Sequence, residues 1–212
     1  MLRLACAILS WFAIDKIIQG ISGAKFSQKW SSNLVSATHS VITVADCWLA
    51  LHDALNLEVI FVISASYFMY DIRNYPIGNI YYIHHICAII GLAYGIRCGS
   101  DISMALACFM FTEIGNFPIY VMYCLHTYPN KVYFERWHDI VLVWEFAWFM
   151  LFRIIIVSWV LLSAVHPFSI FLGVSLQAAN IKWAIGMYFQ VCKIFKPVEV
   201  CKNDNDPVEV SE

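Results

Sequence analysis

The chain has 212 residues, of which 61% are hydrophobic and 13% are charged, and its formal net charge at pH 7 is −2. A soluble domain typically has about 25% charged residues, so this composition excludes an ordinary soluble protein, and the absence of a basic run argues against nucleic-acid binding. The mean hydropathy is +0.68. Apolar runs of about 20 residues recur along the chain, which is the length that crosses a bilayer core, so the sequence predicts an all-α, multi-pass membrane protein.

Seven such runs predict a bundle of about seven transmembrane helices. The first, residues 2–22, contains Asp15 and Lys16 and is either a cleaved signal peptide or a retained span, and we favour the span because the lysine can reach the interface. We expect Pro118 to kink the fifth run, since proline lacks the backbone N–H that a helix interior requires. The other six runs cover approximately residues 33–51, 57–70, 80–96, 101–125, 139–162 and 167–192.

The runs divide the chain into three parts. Residues 1–28 form an N-terminal helix and its loop, expected at the periphery of the bundle. Residues 29–192 form the main helical domain. Residues 193–212 are polar and contain PVEV twice, so we expect a flexible tail.

Basic residues are distributed unequally between the two sides of the predicted bundle. The loops on the N-terminal side contain Arg3 and Arg97, whereas those on the other side contain nine lysines and arginines. The positive-inside rule therefore predicts that the second side, with the C-terminus, is cytosolic. The nine are Lys16, Lys25, Lys29, Arg73, Lys131, Arg136, Lys193, Lys196 and Lys202.

Cysteine and histidine spacings give no sign of a metal site. The eight cysteines include no C-x-x-C pair, so we expect neither a disulfide framework nor zinc, and the cysteines are interpreted as small packing residues. The seven histidines lack the repeated boxes of di-iron lipid hydroxylases. We therefore predict no metal and no resident cofactor.

Ionisable residues inside the apolar runs are the main functional candidates, because such groups are costly within a bilayer. Asp71 ends the third run, and His84 and His85 stand just inside the fourth. The turn between the runs is short, so the two helices should pack side by side. Adjacent helical residues point about 100° apart, so we expect one histidine to meet Asp71 and the other, assigned to His85, to face a cavity. These three residues form the candidate catalytic centre.

Two interpretations of this centre remain open. In the first, a neutral imidazole acts as general base for an amine or hydroxyl that attacks an acyl thioester, or carries the acyl group itself. In the second, the three side chains only bond to one another between packed helices, an interaction worth about 0.6 kcal/mol on average in membranes.

Further polar residues on several runs are expected to line a long, apolar lipid cavity whose polar end points to the cytosol, because they should face away from lipid. Glu113 and Arg153 either anchor a lipid headgroup or pair with each other. The predicted cavity residues are His39, Asp46, Tyr67, Glu113, Asn116, Glu145 and Arg153. Three other histidines near span ends, expected to be solvated, are His126, His138 and His166.

The order of these residues resembles the TLC-domain family, named for translocating-chain-associating membrane protein, the longevity-assurance ceramide synthases and a ceroid-lipofuscinosis protein. The resemblance covers about residues 29–192 and is closest to the small TLC-domain-containing proteins of the 4 type. Ceramide synthases carry an H-D-x-x-D element after their histidine pair, and residues 112–116 of this chain, at that register, lack it. The motifs are Lys29-Trp30-Ser31-Ser32 with His39, Ser66 to Asp71, Tyr82-Ile83-His84-His85, Glu113 with Asn116 and Pro118, and Arg153.

The resemblance implies a TLC-type core of six helices around an internal cavity. It also implies a protein that handles acyl lipids and influences membrane lipid composition. The alternative is a ceramide-synthase-like acyltransferase with acyl-CoA as co-substrate. The expected partners are membrane lipids and acyl chains, with no nucleic acid. We expect residence in the endoplasmic reticulum membrane, with the plasma membrane as the alternative. A transporter is less favoured because no inverted repeat or pair of broken helices is visible.

Overall fold

The computed structural model describes residues 2–22, 28–74, 77, 79–99, 101–127 and 131–195, and these form helices joined by short connections. The predicted all-α class is confirmed. The tail predicted from residue 193 lies, from residue 196 onward, outside the described residues. The elements are α1 (Leu2–Ser22), α2 (Gln28–Leu51), α3 (Leu57–Asp71), a 3-10 turn (Ile72–Asn74), α4 (Ile80–Cys98), α5 (Ile102–Gly115), α6 (Phe117–Thr127), α7 (Lys131–Phe149), a π-helical segment (Met150–Ile156), α8 (Val157–Leu161) and α9 (Pro167–Ile194).

Five stretches in the described part of the chain are long and apolar enough to cross a membrane, which makes this a helical, multi-pass membrane protein. Helices α5 and α6 together supply one stretch, and α7, the π segment and α8 supply another. The five are Leu2–Ile21, Trp30–Leu51, Ile102–Tyr123, Trp137–Leu161 and Pro167–Ile194.

Helices α3 and α4, two of the seven predicted spans, are not among these five. Helix α3 has 15 residues, and α4 has 19 but includes two histidines and ends near Arg97. All five consecutive residues from Ser64 to Phe68 are buried, so neighbouring helices cover α3 on every side at this level. Helix α3 therefore lies in the centre of the bundle. For such a buried helix, length and hydropathy are weak criteria of whether it spans the membrane.

Helix α1 packs against α2 and α3 through two buried side chains, Trp11 and Asp15, whereas its other described side chains are exposed or half-buried. The Trp11 side chain is 5% exposed, and its Nε1 donates to Ser66 Oγ of α3 at 3.0 Å. Asp15 is 2% exposed, and its carboxylate accepts hydrogen bonds from Arg73 Nη2 and Ser31 Oγ, both at 2.9 Å. The arginine lies after α3 and reaches back to neutralise this buried carboxylate of α1.

The predicted kink is confirmed, because the helix is interrupted at Asn116, between α5 and α6. Pro118 has no N–H to donate to the carbonyl oxygen of Ile114, four residues earlier. The indole Nε1 of Trp148 in α7 donates to that oxygen instead, at 2.9 Å. A side chain from the next span thus satisfies the acceptor that the proline leaves unpaired.

The π-helical segment packs against this kink. A Cβ added to Gly115 would lie 2.5 Å from Cγ of Arg153, so only glycine allows this approach. Gln177 of α9 donates through Nε2 to the carbonyl oxygens of Arg153 and Ile154, at 2.9 and 3.1 Å. Side chains therefore donate hydrogen bonds to the irregular backbone of two neighbouring spans, as the interior of a membrane requires. Single π turns inside α-helices are frequent at functional sites.

Candidate functional site

Asp71 joins the end of α3 to α4 through His85. The distance between Asp71 Oδ2 and His85 Nε2 is 3.0 Å, and Asn74 Nδ2 donates to Asp71 Oδ1 at 2.9 Å. One histidine of the pair thus meets the aspartate, as predicted, but the assignment is reversed. His85 belongs to the same buried stripe of α4 as Ala88 and Leu92, which pack against α3, whereas His84 faces a cavity. The prediction that His85 faces the cavity is therefore wrong.

His39 lies in a densely packed polar core between α2 and α3. Its ring stacks on Tyr67, with centroids 3.7 Å apart and an interplanar angle of 12°. His39 Nε2 lies 3.0 Å from Thr43 Oγ1 and 3.4 Å from Ser64 Oγ. Tyr67 donates its hydroxyl to Ser36 at 2.8 Å. Neither His39 nor Tyr67 lines the cavity or the groove described below. Both side chains instead fix the packing of α2 on α3.

A cavity of about 110 Å³ runs between α4, α5, α8 and α9. It follows α4 from His84 to Tyr94, a distance of about 15 Å at the helical rise of 1.5 Å per residue. The cavity is therefore long, narrow and mainly apolar. Its apolar wall includes Ala88, Gly91, Leu92, Met104, Ala105, Cys108, Phe109, Leu172 and Leu176.

One end of this cavity is lined by residues that carry polar atoms without hydrogen-bond partners among the described residues. These atoms are Nδ1 of His84 and Oδ1 of Asn180, and Glu113 lines the same end of the wall. Buried polar groups are nearly always hydrogen-bonded, and an unpaired one costs about 1–3 kcal/mol. Two such atoms in one cavity mark a place where a ligand can bind.

Asn180 is a site residue that the sequence analysis did not select. The side chain is 2% exposed, and its Nδ2 donates to Gln177 Oε1 at 3.0 Å, which fixes the amide. The sequence pattern could have selected this residue, because an asparagine inside an apolar run is as unusual as the histidines of α4. Its position opposite α4 depends on how α9 packs, which the sequence does not reveal.

Glu113 is the centre of a second polar cluster. Ser40 Oγ donates to Glu113 Oε2, and Asn116 Nδ2 donates to the same oxygen at 3.1 Å. The Tyr120 hydroxyl lies 3.0 Å from Ser40 Oγ. Glu113, Ser40 and Tyr120 also line a groove of about 580 Å³ between α2, the α5–α6 kink and Trp148 of α7. Glu113 therefore lines both the cavity and this groove.

Arg153 lies behind Glu113, without an ion pair between them. Its Nε donates to Thr112 O at 3.1 Å, and its guanidinium carbon lies 5.2 Å from the Phe149 ring and 5.4 Å from the Trp183 ring. Among the described residues, no oxygen of Glu113 lies within 4.0 Å of the Arg153 nitrogens. The predicted alternative of direct pairing is thus not observed. Arg153 lines neither the cavity nor the groove.

The two remaining predicted cavity residues, Asp46 and Glu145, also lie away from both spaces. Asp46 is half-buried on α2, and Oδ2 of its carboxylate has no hydrogen-bond partner in the described part of the chain. Glu145 is half-buried on α7. The structure therefore places Glu113, His84 and Asn180 in the walls of the two spaces, with Asn116 bonded to Glu113. It leaves outside these walls His39, Asp46, Tyr67, Glu145 and Arg153.

His166 is exposed, in agreement with the expectation that it is solvated, and it contacts Tyr94 and Asp101, which line the other end of the cavity. The Tyr94 hydroxyl lies 2.6 Å from His166 Nδ1, and the His166 backbone N–H donates to Asp101 Oδ2 at 2.8 Å. The backbone N–H groups of His166 and Val165 hold the pKa of Asp101 below its ordinary value of 3.8. His138 contacts Asp139 at 2.9 Å on the same helix, and the His126 side chain lies outside what the structure describes.

Comparison with known proteins gives no relative. No protein-family model matches the chain, and no curated protein or solved structure matches it. Fold and site together define an integral, multi-pass helical membrane protein with a narrow internal cavity and a lateral groove that share one glutamate.

Proposed function

We propose that this protein handles acyl lipids by binding one unbranched acyl chain along α4, with the lipid's polar end at His84 and Asn180. The observation that carries the proposal is the pair of buried, unpartnered polar atoms at one end of a long apolar cavity. By taking chains out of the bilayer, such a protein influences membrane lipid composition. The Asp71–His85 contact holds α4 in register and so positions His84.

The shape of the cavity favours a chain over a ring. An engineered protein cavity of about 150 Å³ holds benzene, so a volume of about 110 Å³ distributed along 15 Å of helix is too narrow for a fused ring system. Bilayer tails are as apolar as leucine, so a chain gains little hydrophobic energy on leaving the bilayer for the cavity. Selectivity must therefore come from the polar end.

The polar end fits a headgroup that carries an O–H or N–H donor. Asn180 Oδ1 is an acceptor, and His84 Nδ1 donates or accepts according to its tautomer. Glu113 adds carboxylate oxygens to the same end of the wall. A ligand donor at this position would satisfy atoms that otherwise remain buried and unpaired, which is a large gain in a low-dielectric site.

We propose a topology in which all seven predicted helices span the membrane, including α3 and α4, with the C-terminus in the cytosol. The basic residues, nine against two, support this orientation and put the His84 end of the cavity toward the cytosol. We also propose a distant relation to the TLC-domain family over residues 29–192, supported by the order of its motif residues, and residence in the endoplasmic reticulum. Protection of a C-terminal tag in sealed, right-side-out microsomes would reverse the orientation.

Photo-labelling tests the binding proposal. The purified protein in nanodiscs is irradiated with a long-chain fatty acyl lipid that carries a diazirine at mid-chain. Gly91→Leu fills the middle of the cavity, where a Cβ would already contact Leu172 at 3.7 Å, whereas Gly186→Leu enters open space and is the matched control. We expect labelling to fall strongly in Gly91→Leu and to remain at parental level in Gly186→Leu. Equal labelling of both variants would contradict the proposal.

The second candidate is the acyltransferase alternative, and the observation that favours it is that a histidine, His84, and a carboxylate, Glu113, both line the cavity. In this form His84, and not His85, is the general base. The test is release of free CoA from acyl-CoA by the purified protein in the presence of membrane lipid extract. Turnover that disappears in His84→Ala would establish an enzyme, and absence of turnover in the parental protein would leave lipid binding as the function.

A further inference from the structure

The lateral groove presents a buried negative charge without a direct counter-ion. Glu113 lines the groove and is only 6% exposed. In the described part of the chain, no nitrogen of a lysine, arginine or histidine side chain lies within 4.0 Å of its carboxylate oxygens. Glu113 is also the only charged residue among those that line the groove. Charged groups inside a membrane are nearly always paired, so this carboxylate favours a cationic partner from outside the chain.

The hydrogen-bond donors around Glu113 are already used. Ser40 Oγ and Asn116 Nδ2 both donate to Glu113 Oε2. Because Ser40 has a single hydroxyl hydrogen, the Tyr120 hydroxyl is the donor in its 3.0 Å contact with Ser40 Oγ. The indole N–H of Trp148 is used at the kink. The described residues of the groove wall therefore offer no side-chain donor to the phosphate, carboxylate or ester carbonyl of a ligand.

Aromatic rings form part of the groove wall. The three are Phe117, Tyr120 and Trp148, and the volume of about 580 Å³ lies within the range of about 300–1,000 Å³ that is usual for ligand sites. Ring faces attract cations, and aromatic walls are a common means of binding quaternary ammonium groups. The aliphatic part of the lining, which includes Ala37 and Val41, suits an alkyl chain.

Two kinds of ammonium headgroup would complement the charge of Glu113. A primary ammonium is compact and strongly hydrated, and its three N–H groups all need acceptors once it leaves water. A fully alkylated ammonium has no N–H group to satisfy, and its methyl groups can pack against apolar and aromatic side chains. Because most of the groove lining is apolar, the groove favours the alkylated cation.

We propose that the groove binds a single-chain lipid with a quaternary ammonium headgroup, which lies against Glu113 and the aromatic rings. A lipid with net positive charge fits better than a choline phospholipid, because the groove wall has no donor for the phosphate. The site is separate from the acyl cavity, since it lies between α2, the kink and α7, whereas the cavity lies between α4, α5, α8 and α9. The proposal therefore does not depend on acyl-chain binding.

Three photoactivatable probes with the same hexadecyl chain and a diazirine beside the headgroup test this proposal. One ends in trimethylammonium, the second is its uncharged isostere with carbon in place of nitrogen, and the third ends in a primary ammonium. The full-length protein is labelled in maltoside micelles, and labelled residues are mapped by mass spectrometry.

Labelling of α6 around Phe117 and Tyr120 is measured relative to labelling of the exposed Val174 on α9. We expect trimethylammonium to label α6 about tenfold more than the isostere, as for a cation in a desolvated aromatic site. Equal labelling by these two probes would overturn the proposal. Labelling by the primary ammonium that equals or exceeds that by trimethylammonium would overturn the choice of a quaternary headgroup.

Two substitutions test the groups that bind the cation. Glu113→Gln removes the charge but retains an oxygen that can accept from Ser40 and Asn116. Phe117→Leu removes one ring, and Phe189→Leu is its matched control, since the two rings are 53% and 60% exposed and Phe189 does not line the groove. The ratio of trimethylammonium to isostere labelling should fall in both groove variants and remain at parental level in Phe189→Leu. If Glu113→Gln does not fold, Phe117→Leu decides alone, and an unchanged ratio there would contradict the site.

The same measurements separate this proposal from the proposed function. Phe117→Leu should leave mid-chain acyl labelling of the cavity at parental level, and Gly91→Leu should leave trimethylammonium labelling of α6 unchanged. Loss of acyl labelling in Phe117→Leu would mean that the two spaces are one site, which overturns a separate groove site. Absence of cavity labelling in the parental protein would reject only the acyl-chain proposal.

Discussion

Trp148 donates its indole N–H to the carbonyl oxygen of Ile114, at 2.9 Å. Pro118 leaves this oxygen without its helical partner, so one side chain of α7 stabilises the break between α5 and α6. The break places Glu113 just before the kink and Tyr120 just after it, and both reach Ser40 of α2. The position of Glu113, which lines both the cavity and the groove, thus depends on Pro118 and Trp148 in neighbouring spans.

Replacing this tryptophan should destabilise the bundle. Trp148→Phe keeps the aromatic volume approximately but removes the N–H, leaving the Ile114 oxygen without a donor. We expect a loss of about 1 kcal/mol in the free energy of unfolding, read as a lower thermal midpoint in detergent. Trp159→Phe is the control, because Trp159 is 74% exposed. Equal midpoints for the two variants would show that the indole N–H contributes nothing.

Substitution of His84 and disruption of the Asp71–His85 contact should give opposite phenotypes. His84→Ala should lower acyl labelling with little change in thermal stability, because Nδ1 of His84 has no partner among the described residues. Asp71→Ala should mainly lower stability, by about 1–3 kcal/mol, since it removes the acceptor of His85 and Asn74. His52→Ala, at an exposed site, is the control for both measurements. Loss of labelling at full stability in Asp71→Ala would instead favour a catalytic role for the aspartate.

The Asp15–Arg73 ion pair should couple α1 to the rest of the bundle. Arg73→Leu leaves a buried carboxylate uncompensated, and we expect a loss of about 1–3 kcal/mol, below the usual cost for a fully buried pair because the arginine side chain is 30% exposed. Adding Asp15→Leu should recover most of the loss, since both charges are then absent. A double-mutant cycle on thermal unfolding measures the coupling. Lys16→Leu is the neighbouring control, and additive effects of the two substitutions would refute the coupling.

Acid should weaken the junction between α5 and α9. The hydrogen bonds from His166 and Val165 lower the pKa of Asp101 in the folded protein. A lowered pKa means that the carboxylate stabilises the fold at pH values above its ordinary value of 3.8. This contribution disappears as the pH falls through the lower, folded value. Asp101→Asn should therefore reduce the thermal midpoint at neutral pH and have no effect at the acid end. A difference that is constant with pH would contradict this assignment.

The features that could be predicted from the sequence are local ones. Apolar run length predicted the helical membrane class, and Pro118 predicted the kink, because both depend on a few neighbouring residues. Helical geometry predicted that only one of His84 and His85 meets Asp71. The choice between them could not be predicted, because it depends on which face of α4 packs against α3.

The errors concern contacts between distant parts of the chain. No local pattern pairs Asp15 with Arg73, and only the tertiary fold brings the arginine to the aspartate. Asn180 enters the site because α9 packs beside α4, a relationship with no local signal. Residues such as His39 and Tyr67 were correctly expected to face inward, but inward positions include tightly packed cores as well as cavity walls.

The most direct test of the central claim is a map of labelled residues along the cavity. Two acyl lipids are compared, one with the diazirine beside the headgroup and one with it at the chain end. We expect labels at His84 and Asn180 for the first probe, and at Tyr94 and Met104, toward the other end, for the second. Labels from both probes scattered over lipid-facing residues such as Val174, without this displacement along α4, would contradict an acyl chain in the cavity.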